Sequence, residues 1–515
     1  MNFFSTRGSG PITGAEAIIN GLAKDGGLYV PESFPQISEE DIRNMAIQSY
    51  DERAAFIITK FLDEFSVSEM EDYTARAYIK FENFDAAPLV KVDENMYLLE
   101  LWHGPTCAFK DVALTLLPYL LTGSKKKMGD DKKTLILVAT SGDTGKAALE
   151  GFKDVEGTEI VCLYPSEGVS DMQKMQMVTT AGKNTHVIGI KGNFDDAQRT
   201  VKEIFSSKEI NDLFLKNGYK LSSANSINFG RLVPQIVYYF SAYVDLFTNN
   251  EIKYGDPVSF VVPSGNFGNI LAAFYAKKMG LNIKDLIVAS NQNNILTDFF
   301  NTGEYDTNRK FFKTISPSMD ILVSSNLERL LYEALDRNPE EVKRLMNSLK
   351  EFGSYKIDLD TFEKKVPEFF AYFSNEEETK EVMANFFDEY GYLLDPHTAV
   401  AVSAYMKFMN EMFDDVPTVI VSTASAYKFP QDVLQAINPG SKREEDAFKA
   451  IKKLNNESAL DVPESIDKLK ELPINHTLVV DKENIKEAII KAVLGEDIKW
   501  LEIRKLYIVP FNQQE

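Results

Sequence analysis

Six short runs of consecutive apolar residues, each followed by a turn, constrain the fold of this chain more than any other feature. They read TLILVA, EIVCLYP, THVIGI, VSFVVP, LIVASN and TVIVSTA, at residues 134–139, 159–165, 185–190, 258–263, 286–291 and 418–424. Strands that are apolar throughout are buried on both faces, and strands that alternate with helical segments form parallel sheets with right-handed crossovers. The sequence therefore predicts an α/β protein built from βαβ units.

The overall composition excludes several classes of protein. The chain has 515 residues, of which 44% are hydrophobic, so it can build two or three domains with large cores. Its net charge of −21 argues against binding to nucleic acid, which requires clustered Lys and Arg. The four histidines are scattered and none lies in a zinc-binding motif, so we expect no metal site.

Cysteine content and hydropathy bear on the cellular compartment. The chain contains two cysteines, Cys107 and Cys162, which argues against a disulfide framework and favours a reducing compartment. The N-terminus lacks the charged and apolar regions of a secretory signal, and no run of about 18 apolar residues is available to span a membrane. We therefore expect a cytoplasmic protein without membrane segments.

Two turns that follow apolar strands are rich in Gly, Ser, Asn, Asp and Thr, namely TSGDTG (140–145) and PSGNFGN (263–269). In open parallel sheets ligands bind where strands end, and the free amides at the start of the next helix attract anions. The first turn is not a P-loop, because Thr140 stands where the first Gly is required and Ala147 stands where Ser or Thr should bind magnesium. The alternative is that both are ordinary strand-to-helix turns in which Gly is needed only for geometry.

Lys110 lies in the stretch HGPTCAFKDVAL, where most of its neighbours are apolar. A lysine drawn into an apolar site loses its preference for the charged form and becomes a nucleophile, which is the condition for forming a Schiff base. The alternative is an ordinary solvated lysine beside the start of a helix.

Two further stretches each leave two interpretations open. In LLDPHTAV, the residues Asp395, His397 and Thr398 are either a proton-transfer group or only the start of a helix, with an Asp-Pro turn and Thr as the cap. In SSANSINFGR, Arg231 is either a bidentate phosphate clamp or an arginine on a helix surface. Its position after a Ser- and Asn-rich stretch favours the clamp.

Several of these stretches together resemble the threonine synthase family of pyridoxal-phosphate (PLP) enzymes. The matching motifs are LELWHGPTCAFKD, ATSGDTGKAA, NSINFGR, VVPSGNFGN and LLDPHTAV, and the leading segment STRG…GLAKDGGLYVP is similar as well. The resemblance runs from about residue 5 to about residue 430. It implies PLP fold type II, also called tryptophan-synthase-β-like, with two α/β lobes, an N-terminal segment and a C-terminal extension.

The resemblance also implies a domain organisation and an activity. We expect an N-terminal threonine-synthase-type domain at 1–95, a PLP-binding catalytic region at 96–430 and a C-terminal extension at 431–515. A smaller mobile lobe is expected at about 134–235. The activity of the family is a PLP-dependent β,γ-elimination and replacement that converts O-phospho-L-homoserine and water into L-threonine and phosphate, the last step of threonine biosynthesis.

Individual residues acquire roles from the same resemblance. Lys110 corresponds to the catalytic lysine that holds PLP covalently. Asp143 corresponds to a residue facing the ring hydroxyl of the cofactor, and Thr423, or neighbouring Ser422, to the hydroxyl that meets the pyridine nitrogen. The loop around the cofactor phosphate corresponds to Ser264, Gly265, Asn266, Phe267, Gly268 and Asn269. The substrate-binding residues implied are Thr140, Ser141 and Thr144 for the carboxylate and Asn225, Ser226, Asn228 and Arg231 for the phosphate.

One stretch departs from the family pattern. Where many relatives read STAHPAKF, this chain reads STASAYKF at 422–429, so Ser425 and Ala426 replace His and Pro while Lys428 is kept. No role is therefore transferred to a histidine at this position. Two other functions stay open: another PLP lyase of the same fold, such as a serine/threonine dehydratase, and a threonine-synthase-like protein that binds PLP or a phospho-ligand without synthase turnover.

Overall fold

Two mainly parallel β-sheets form the framework of the computed structural model, which describes residues 1–140, 142–167, 169–458 and 460–495. The larger sheet has six strands and the smaller has five. Within these sheets all neighbouring strands run parallel except one edge pair of the larger sheet. This architecture confirms the predicted α/β class with two lobes.

The N-terminal segment forms a small antiparallel sheet followed by helices that pack on the main core. Thr13, Ser38 and Ser66 each begin a helix by accepting a backbone hydrogen bond and completing a capping box with the acidic residue three positions later. The elements are β1 (Asn2–Ser5), β2 (Ile12–Thr13), α1 (Gly14–Asn20), β3 (Tyr29–Pro31), α2 (Glu39–Met45), α3 (Tyr50–Thr59) and α4 (Val67–Tyr78).

The next segment carries Lys110 from an inner strand of the larger sheet into two helices. The apolar stretch DVALTLLPYLL does not form one continuous helix, because Pro118 has no N–H to donate and is accommodated only in the first turn of the second helix. The elements are β4 (Leu89–Asp93), β5 (Met96–Glu100), α5 (Lys110–Leu114) and α6 (Leu117–Met128).

The smaller lobe alternates strands and helices as the apolar runs predict. Its helix α7 packs closely on α5 at Gly151. Only glycine permits this approach, because a Cβ atom on Gly151 would lie 2.0 Å from the carbonyl oxygen of Leu114. The elements are β6 (Lys133–Ala139), α7 (Asp143–Phe152), β7 (Thr158–Pro165), α8 (Asp171–Val178), β8 (Thr185–Lys191), α9 (Phe194–Ser206), α10 (Lys208–Lys216) and β9 (Tyr219–Ser222).

The chain then completes the larger lobe. The elements are α11 (Phe229–Thr248), β10 (Val258–Pro263), α12 (Gly268–Lys278), β11 (Ile283–Ser290), α13 (Ile295–Thr302), β12 (Glu304–Asp306), a 3₁₀ turn (Pro317–Met319), α14 (Leu327–Ala334), α15 (Pro339–Phe352), β13 (Ser354–Lys356), α16 (Leu359–Lys365), β14 (Phe369–Phe373), α17 (Glu376–Tyr390), α18 (Pro396–Met412), β15 (Thr418–Ser422), a 3₁₀ turn (Ala426–Lys428) and α19 (Pro430–Ile437). The strand order of the larger sheet is β14-β11-β10-β15-β5-β4, with β4 antiparallel to β5. In the centre, Val261 lies between Ile287 and Ile420, and all three are fully buried.

The described part of the C-terminal segment packs on both lobes. Its elements are α20 (Ala447–Glu457), α21 (Glu464–Asp467), a 3₁₀ turn (Lys468–Glu471), β16 (Val479–Asp481), a 3₁₀ turn (Lys482–Asn484) and α22 (Ile485–Leu494). Leu454 of α20 joins the core of the larger lobe. By contrast, β16 pairs in parallel with β8, and Ile489 of α22 packs on the smaller sheet. Among the residues that the structure describes, no helix combines the length and the apolar character needed to cross a membrane.

Candidate active site

Lys110, the first residue of α5, lies where the two lobes meet. Its side chain is only 12% exposed. Burial lowers the pKa of the Lys110 amine to about 8, although the nearby Asp143 carboxylate acts in the opposite direction. Part of the amine population is therefore neutral, and nucleophilic, at mildly alkaline pH. This environment differs from that of an ordinary solvated lysine.

Asp143, at the start of α7, brings the smaller lobe into contact with Lys110. Its Oδ2 atom lies 3.9 Å from Lys110 Nζ, and its Oδ1 atom lies 2.7 Å from Lys428 Nζ and 3.2 Å from Gln173 Nε2. Burial favours the protonated acid, but the Lys428 and Lys110 ammonium groups hold the pKa of Asp143 well below its usual range. Asp143 is therefore an ionised carboxylate inside the protein.

The turn TSGDTG between β6 and α7 is shaped by its own hydrogen bonds. The Thr140 hydroxyl accepts hydrogen bonds from the Gly142 and Gly145 amides, at 3.0 Å each, and donates to the Gly142 carbonyl at 2.9 Å. The polar capacity of the Thr140 hydroxyl is thus used within the turn. Thr144 is partly exposed, and its hydroxyl makes no hydrogen bond with any described residue. Ser141 lies outside the described residues.

The turn PSGNFGN between β10 and α12 contains a backbone conformation that is unusual for a residue with a side chain. Phe267 adopts the left-handed conformation, with φ of 64°, immediately before α12. Strained conformations of this kind persist when the surroundings fix them. The Phe267 ring is fixed by stacking on Phe300 and Phe369, at centroid distances of 5.9 and 6.0 Å. Because the ring belongs to the core, only the backbone of Phe267 is left to face a ligand.

The carbonyl groups of the same turn are bound from one side. Ser324 Oγ donates to the Gly265 carbonyl at 2.7 Å, and both the backbone and side-chain amides of Asn326 donate to the Asn266 carbonyl at 3.0 Å. In a trans peptide the C=O and N–H groups point in opposite directions, so the amides of Asn266 and Phe267 face away from Ser324 and Asn326. Neither amide donates to a backbone carbonyl of the described residues.

The remaining residues of this turn differ in the hydrogen-bonding capacity that they leave free. Ser264 donates its amide and its hydroxyl to carbonyls of the sheet, at 2.8 and 2.9 Å, so both donors are engaged. Gly268 begins α12, where the first amides have no acceptor within the helix. Asn269 Oδ1 accepts hydrogen bonds from Tyr238 and Tyr239, but Asn269 Nδ2 is buried and has no partner among the residues that the structure describes. An unsatisfied buried donor is costly and favours an acceptor supplied by a ligand.

The end of β15 presents two neighbouring hydroxyl groups with different surroundings. Ser422 Oγ accepts a hydrogen bond from Trp102 Nε1 at 3.1 Å and donates to Thr398 Oγ1 at 3.2 Å, since the single proton of the Thr398 hydroxyl is donated to Asp395. The Thr423 carbonyl accepts from the Phe109 amide at 2.8 Å, which ties this strand end to the residue before Lys110. The Thr423 hydroxyl has no hydrogen-bond partner among the described residues and is the more available of the two.

Arg231 is buried in the first turn of α11 and does not lie on a helix surface. Its Nη1 atom donates to the Ala224 carbonyl at 2.7 Å, while its Nε atom is buried and no described residue accepts a hydrogen bond from it. Burial lowers the pKa of Arg231 to about 10, and its positive charge in turn lowers the pKa of Lys110. No ion pair joins Arg231 to a carboxylate in the described part of the chain. A buried guanidinium in this condition favours an anionic ligand.

The other candidate phosphate ligands lie just before Arg231. Asn228 caps α11, because its Oδ1 atom accepts from the Gly230 amide and its Nδ2 atom donates to the Ile18 carbonyl, both at 2.9 Å. Both polar ends of Asn228 are therefore used within the fold. Asn225 is exposed, and Ser226 is half-buried with its hydroxyl 3.4 Å from Asn326 Nδ2.

Two residues that sequence analysis left without a role contact Asp143. Lys428 has a side chain that is 1% exposed and also donates to the Thr106 carbonyl at 2.8 Å. Ser318 Oγ lies 3.1 Å from Asp143 Oδ2 and 3.3 Å from Lys110 Nζ. The retention of Lys428 in an otherwise altered stretch was a usable signal. Ser318 comes from an irregular segment between β12 and α14, where no strand end points to a site.

The stretch LLDPHTAV begins α18 and also reaches the site. The stretch begins a helix as one interpretation predicts, but the cap is Asp395 and not Thr398, because Asp395 accepts from the His397 and Thr398 amides at 2.9 and 3.2 Å. The His397 ring contacts Asp395 Oδ1 through Nδ1 at 2.7 Å and accepts from the Ser318 amide through Nε2 at 3.1 Å. Since Nε2 is an acceptor, the Nδ1 atom carries the proton in this arrangement. His397 therefore contacts Ser318, whose hydroxyl lies 3.3 Å from Lys110 Nζ.

Three family models match the chain. They are "Threonine synthase N terminus" at residues 2–78, "Pyridoxal-phosphate dependent enzyme" at 84–424 and "Threonine synthase, C-terminal" at 398–489. The second of these spans the strands and turns described above.

Individual relatives and a solved structure are similar over most of the chain. The threonine synthase of Pseudomonas aeruginosa is 39% identical over 438 residues, which cover 85% of this chain and 90% of that protein. Threonine synthase-like 1 of Pongo abelii is 37% identical over 503 residues, or 95% of this chain. The chain spans 58–65% of the length of the four threonine synthase-like 1 proteins that it matches. A crystal structure of PLP-bound threonine synthase from Brucella melitensis is 37% identical, with a TM-score of 0.85 and coverage of 96% of this chain and 99% of that one.

Proposed function

Because this chain belongs to the threonine synthase family of PLP-dependent enzymes, we propose that it binds PLP through Lys110 and converts O-phospho-L-homoserine and water into L-threonine and phosphate. The placement of Lys110 carries this proposal. Its amine is buried, has a pKa of about 8 and lies 3.9 Å from the carboxylate of Asp143, which begins the helix that follows the parallel strand β6. Ligands of open parallel sheets bind at such strand ends.

The residues around Lys110 fit a phosphorylated cofactor. The outward-facing amides of Asn266 and Phe267, the first turn of α12 and Asn269 Nδ2 form a set of donors for which the described residues supply no acceptor. Such a set at a helix N-terminus suits a phosphate group. The free hydroxyl of Thr423 is available for a ring nitrogen, and Asp143 is available for a ring hydroxyl. These residues would hold PLP, with Lys110 as its covalent anchor.

The proposed reaction uses Lys110 as the group that moves protons. When bound, PLP supplies an electron sink that acidifies the C–H bonds near the amino group of an amino acid. The Lys110 amine takes a proton from Cα of the substrate and later returns one, and a pKa of about 8 suits both transfers near neutral pH. Over the whole reaction phosphate leaves from Cγ and the hydroxyl of water adds at Cβ. Of the two protons released, one from Cβ and one from water, one goes to Cγ and the other to the departing phosphate. Asp143 and Lys428 keep the local charge fixed while these protons move.

The substrate phosphate is the group that we assign to Arg231. The protein carries a net charge of −21, so a doubly charged phosphate needs a locally basic site. Arg231 supplies a buried guanidinium with an unsatisfied Nε atom. Ser226 and Asn225 lie close enough in sequence to add polar contacts, whereas Asn228 is engaged in capping α11. Thr144, in the turn TSGDTG, has a hydroxyl without a hydrogen-bond partner among the described residues, and we assign it to the substrate carboxylate.

The smaller lobe, at about residues 134–235, is the part that we propose to move. It carries Asp143 and Thr144, so its closure over the substrate would complete the site and exclude bulk water. The boundaries at 1–95, 96–430 and 431–515 remain a prediction. We also propose the cytoplasm as the compartment, a choice supported by the free thiols of Cys107 and Cys162.

Replacement of Lys110 by Ala tests the proposal. We expect the variant to lose covalent attachment of PLP, measured as the cofactor mass retained after borohydride reduction. We also expect formation of threonine from O-phospho-L-homoserine to fall about a hundredfold or more, since the proton-transferring group is gone. Lys284→Ala is the control, because Lys284 is 45% exposed and pairs with Asp414 on the surface. That variant should keep both properties.

The products separate this function from its alternatives. Threonine and phosphate released in equal amounts support the synthase. Ammonia and a 2-oxo acid released from serine or threonine, with no phosphate release from O-phospho-L-homoserine, would indicate a dehydratase. PLP bound on Lys110 with no turnover of either substrate would indicate a binding protein. Full activity of Lys110→Ala would contradict the assignment of the anchor.

A further inference from the structure

We infer that Ser318 is a positioning residue that separates the Lys110 amine from Asp143 and directs the lone pair of that amine into the cleft. The inference rests on the proposed role of Lys110. Ser318 lies in the 3₁₀ turn Pro317–Met319 and is the residue that contacts both Lys110 Nζ, at 3.3 Å, and Asp143 Oδ2, at 3.1 Å.

The direction of these two hydrogen bonds follows from the charge of Asp143. An ionised carboxylate can only accept hydrogen bonds, so the Ser318 hydroxyl must donate its one proton to Asp143 Oδ2. The lone pairs of the Ser318 oxygen are then the only part left for Lys110, which must donate an N–H. A neutral amine that donates toward Ser318 has its own lone pair pointing away from Ser318. The hydroxyl therefore fixes the orientation of the nucleophile.

The same hydroxyl also controls the distance between two opposite charges. Lys110 Nζ is 3.9 Å from Asp143 Oδ2, which is beyond direct hydrogen-bonding distance. Four charged groups act on the Lys110 amine: Asp143 and Asp111 favour its protonation, while Lys428 and Arg231 oppose it. Without the interposed hydroxyl, Lys110 and Asp143 are free to pair directly. Direct pairing would stabilise the ammonium form, which is neither a nucleophile nor a base.

Ser318 is itself held by groups that leave it little freedom. Its amide donates to His397 Nε2 at 3.1 Å, and the His397 ring is oriented by Asp395. On the other side, its carbonyl oxygen lies so near Gly265 that a Cβ atom there would approach it to 2.9 Å. The turn containing Ser318 is thus clamped between α18 and the turn PSGNFGN. A hydroxyl on such a rigid support can set the geometry of a flexible lysine side chain.

Two substitutions at this position separate the hydroxyl from the backbone. Ser318→Ala removes the hydroxyl and keeps the turn, whereas Ser318→Thr keeps a hydroxyl at the same atom. Ser403→Ala is the matched control: Ser403 is buried and its hydroxyl is hydrogen-bonded to Ser374 at 2.7 Å, at the edge of the larger sheet. All three variants are made in the full chain.

The measurement is the protonation midpoint of Lys110 itself, which does not depend on turnover. The cofactor-free protein is labelled with a trace of acetic anhydride between pH 6 and pH 11, and the acetylated Lys110 peptide is quantified by mass spectrometry against a free amino acid. We expect the midpoint in Ser318→Ala to rise by about one pH unit, because the carboxylate then contacts the amine directly. Ser318→Thr and Ser403→Ala should match the unmodified protein. A second readout is the rate of covalent PLP capture at pH 7.5, which should fall about tenfold in Ser318→Ala alone.

Each outcome decides the inference. An unchanged midpoint in Ser318→Ala, or an equal rise in Ser318→Thr, would overturn it. If Lys110→Ala still holds PLP, the proposed function fails, yet the labelling experiment still reports whether Ser318 controls the Lys110 amine. The two failures are therefore distinguishable.

Discussion

Replacing Lys428 by Met should destabilise the protein, because it leaves the Asp143 carboxylate buried without its nearest cation. Lys428 Nζ lies 2.7 Å from Asp143 Oδ1, and the two side chains are 1% and 2% exposed. Removing one partner of a buried ion pair costs about 3–5 kcal/mol. Lys110, 3.9 Å from the other carboxylate oxygen, retains part of the attraction. We therefore expect a loss at the lower end, of about 3 kcal/mol in the free energy of unfolding.

Urea denaturation of the cofactor-free protein, followed by far-UV circular dichroism, measures this loss. The comparison needs Asp143→Asn and the double variant, because the double variant has no unpaired charge. We expect the double variant to lose less than the sum of the two single losses, by about 1 kcal/mol or more. Strictly additive losses would refute the reasoning, since they would mean that the two side chains do not stabilise each other.

The pH dependence of the same loss gives an independent check. Burial raises the pKa of Asp143, but Lys428 and Lys110 outweigh it and hold the folded-state pKa below the usual value of 3.8. The stabilisation is therefore present above about pH 4 and is lost as the pH falls through the folded-state pKa. Without Lys428 the effect of burial on Asp143 is less opposed, so the folded-state pKa of Asp143 rises. Protonation of Asp143 then removes the cost of burying an unpaired carboxylate. The destabilisation of Lys428→Met should accordingly be smaller at pH 5 than at pH 8.

Two further substitutions test the geometry of the site. Arg231→Leu should raise the KM for O-phospho-L-homoserine about tenfold to a hundredfold, the equivalent of about 1.5–3 kcal/mol for a charged hydrogen bond. The affinity for unphosphorylated homoserine should stay the same. Equal weakening of the binding of the two compounds would exclude a phosphate contact. Gly145→Ala should lower stability by about 1–3 kcal/mol, because its Cβ would lie 2.3 Å from Thr140 Cγ2 and 2.7 Å from Cys162 Sγ. Gly440→Ala is the control in thermal denaturation, because a Cβ atom on Gly440 would have no atom within 4 Å. If both substitutions change stability by a similar amount, the close contacts at Gly145 are relieved without loss of stability.

The parts of the fold that depend on local sequence could be predicted. Continuous apolar runs mark β6 and β10 nearly to the residue, because a strand buried on both faces needs apolar side chains at every position. The turns after these strands were recognisable for the same local reason. The break between α5 and α6 also has a local cause, namely Pro118.

The contacts that complete the site depend on residues far apart in the chain. Ser318 is 208 positions from Lys110, and Lys428 is 285 positions from Asp143, so no spacing rule connects them. Their side chains meet because the turn after β6 of the smaller sheet, the residues after β15 of the larger sheet and the 3₁₀ turn Pro317–Met319 come together where the two lobes meet. The pairing of β16 with β8 is equally non-local, since three residues of moderate hydrophobicity carry no information about their partner.

That pairing has a consequence for how the protein behaves among its own copies. Without β16, the outer edge of β8 would present unpaired backbone donors and acceptors. Such an edge is a template for intermolecular strand addition. In this chain β16 occupies the edge at Gly189, Ile190 and Lys191, and an ion pair between Lys191 and Asp481 fastens it at 3.2 Å. Strand β16 is three residues long, covers three of the seven residues of β8 and is followed by the charged Lys482 and Glu483. The C-terminal segment thus shortens the open edge of the smaller lobe as well as packing on the larger lobe.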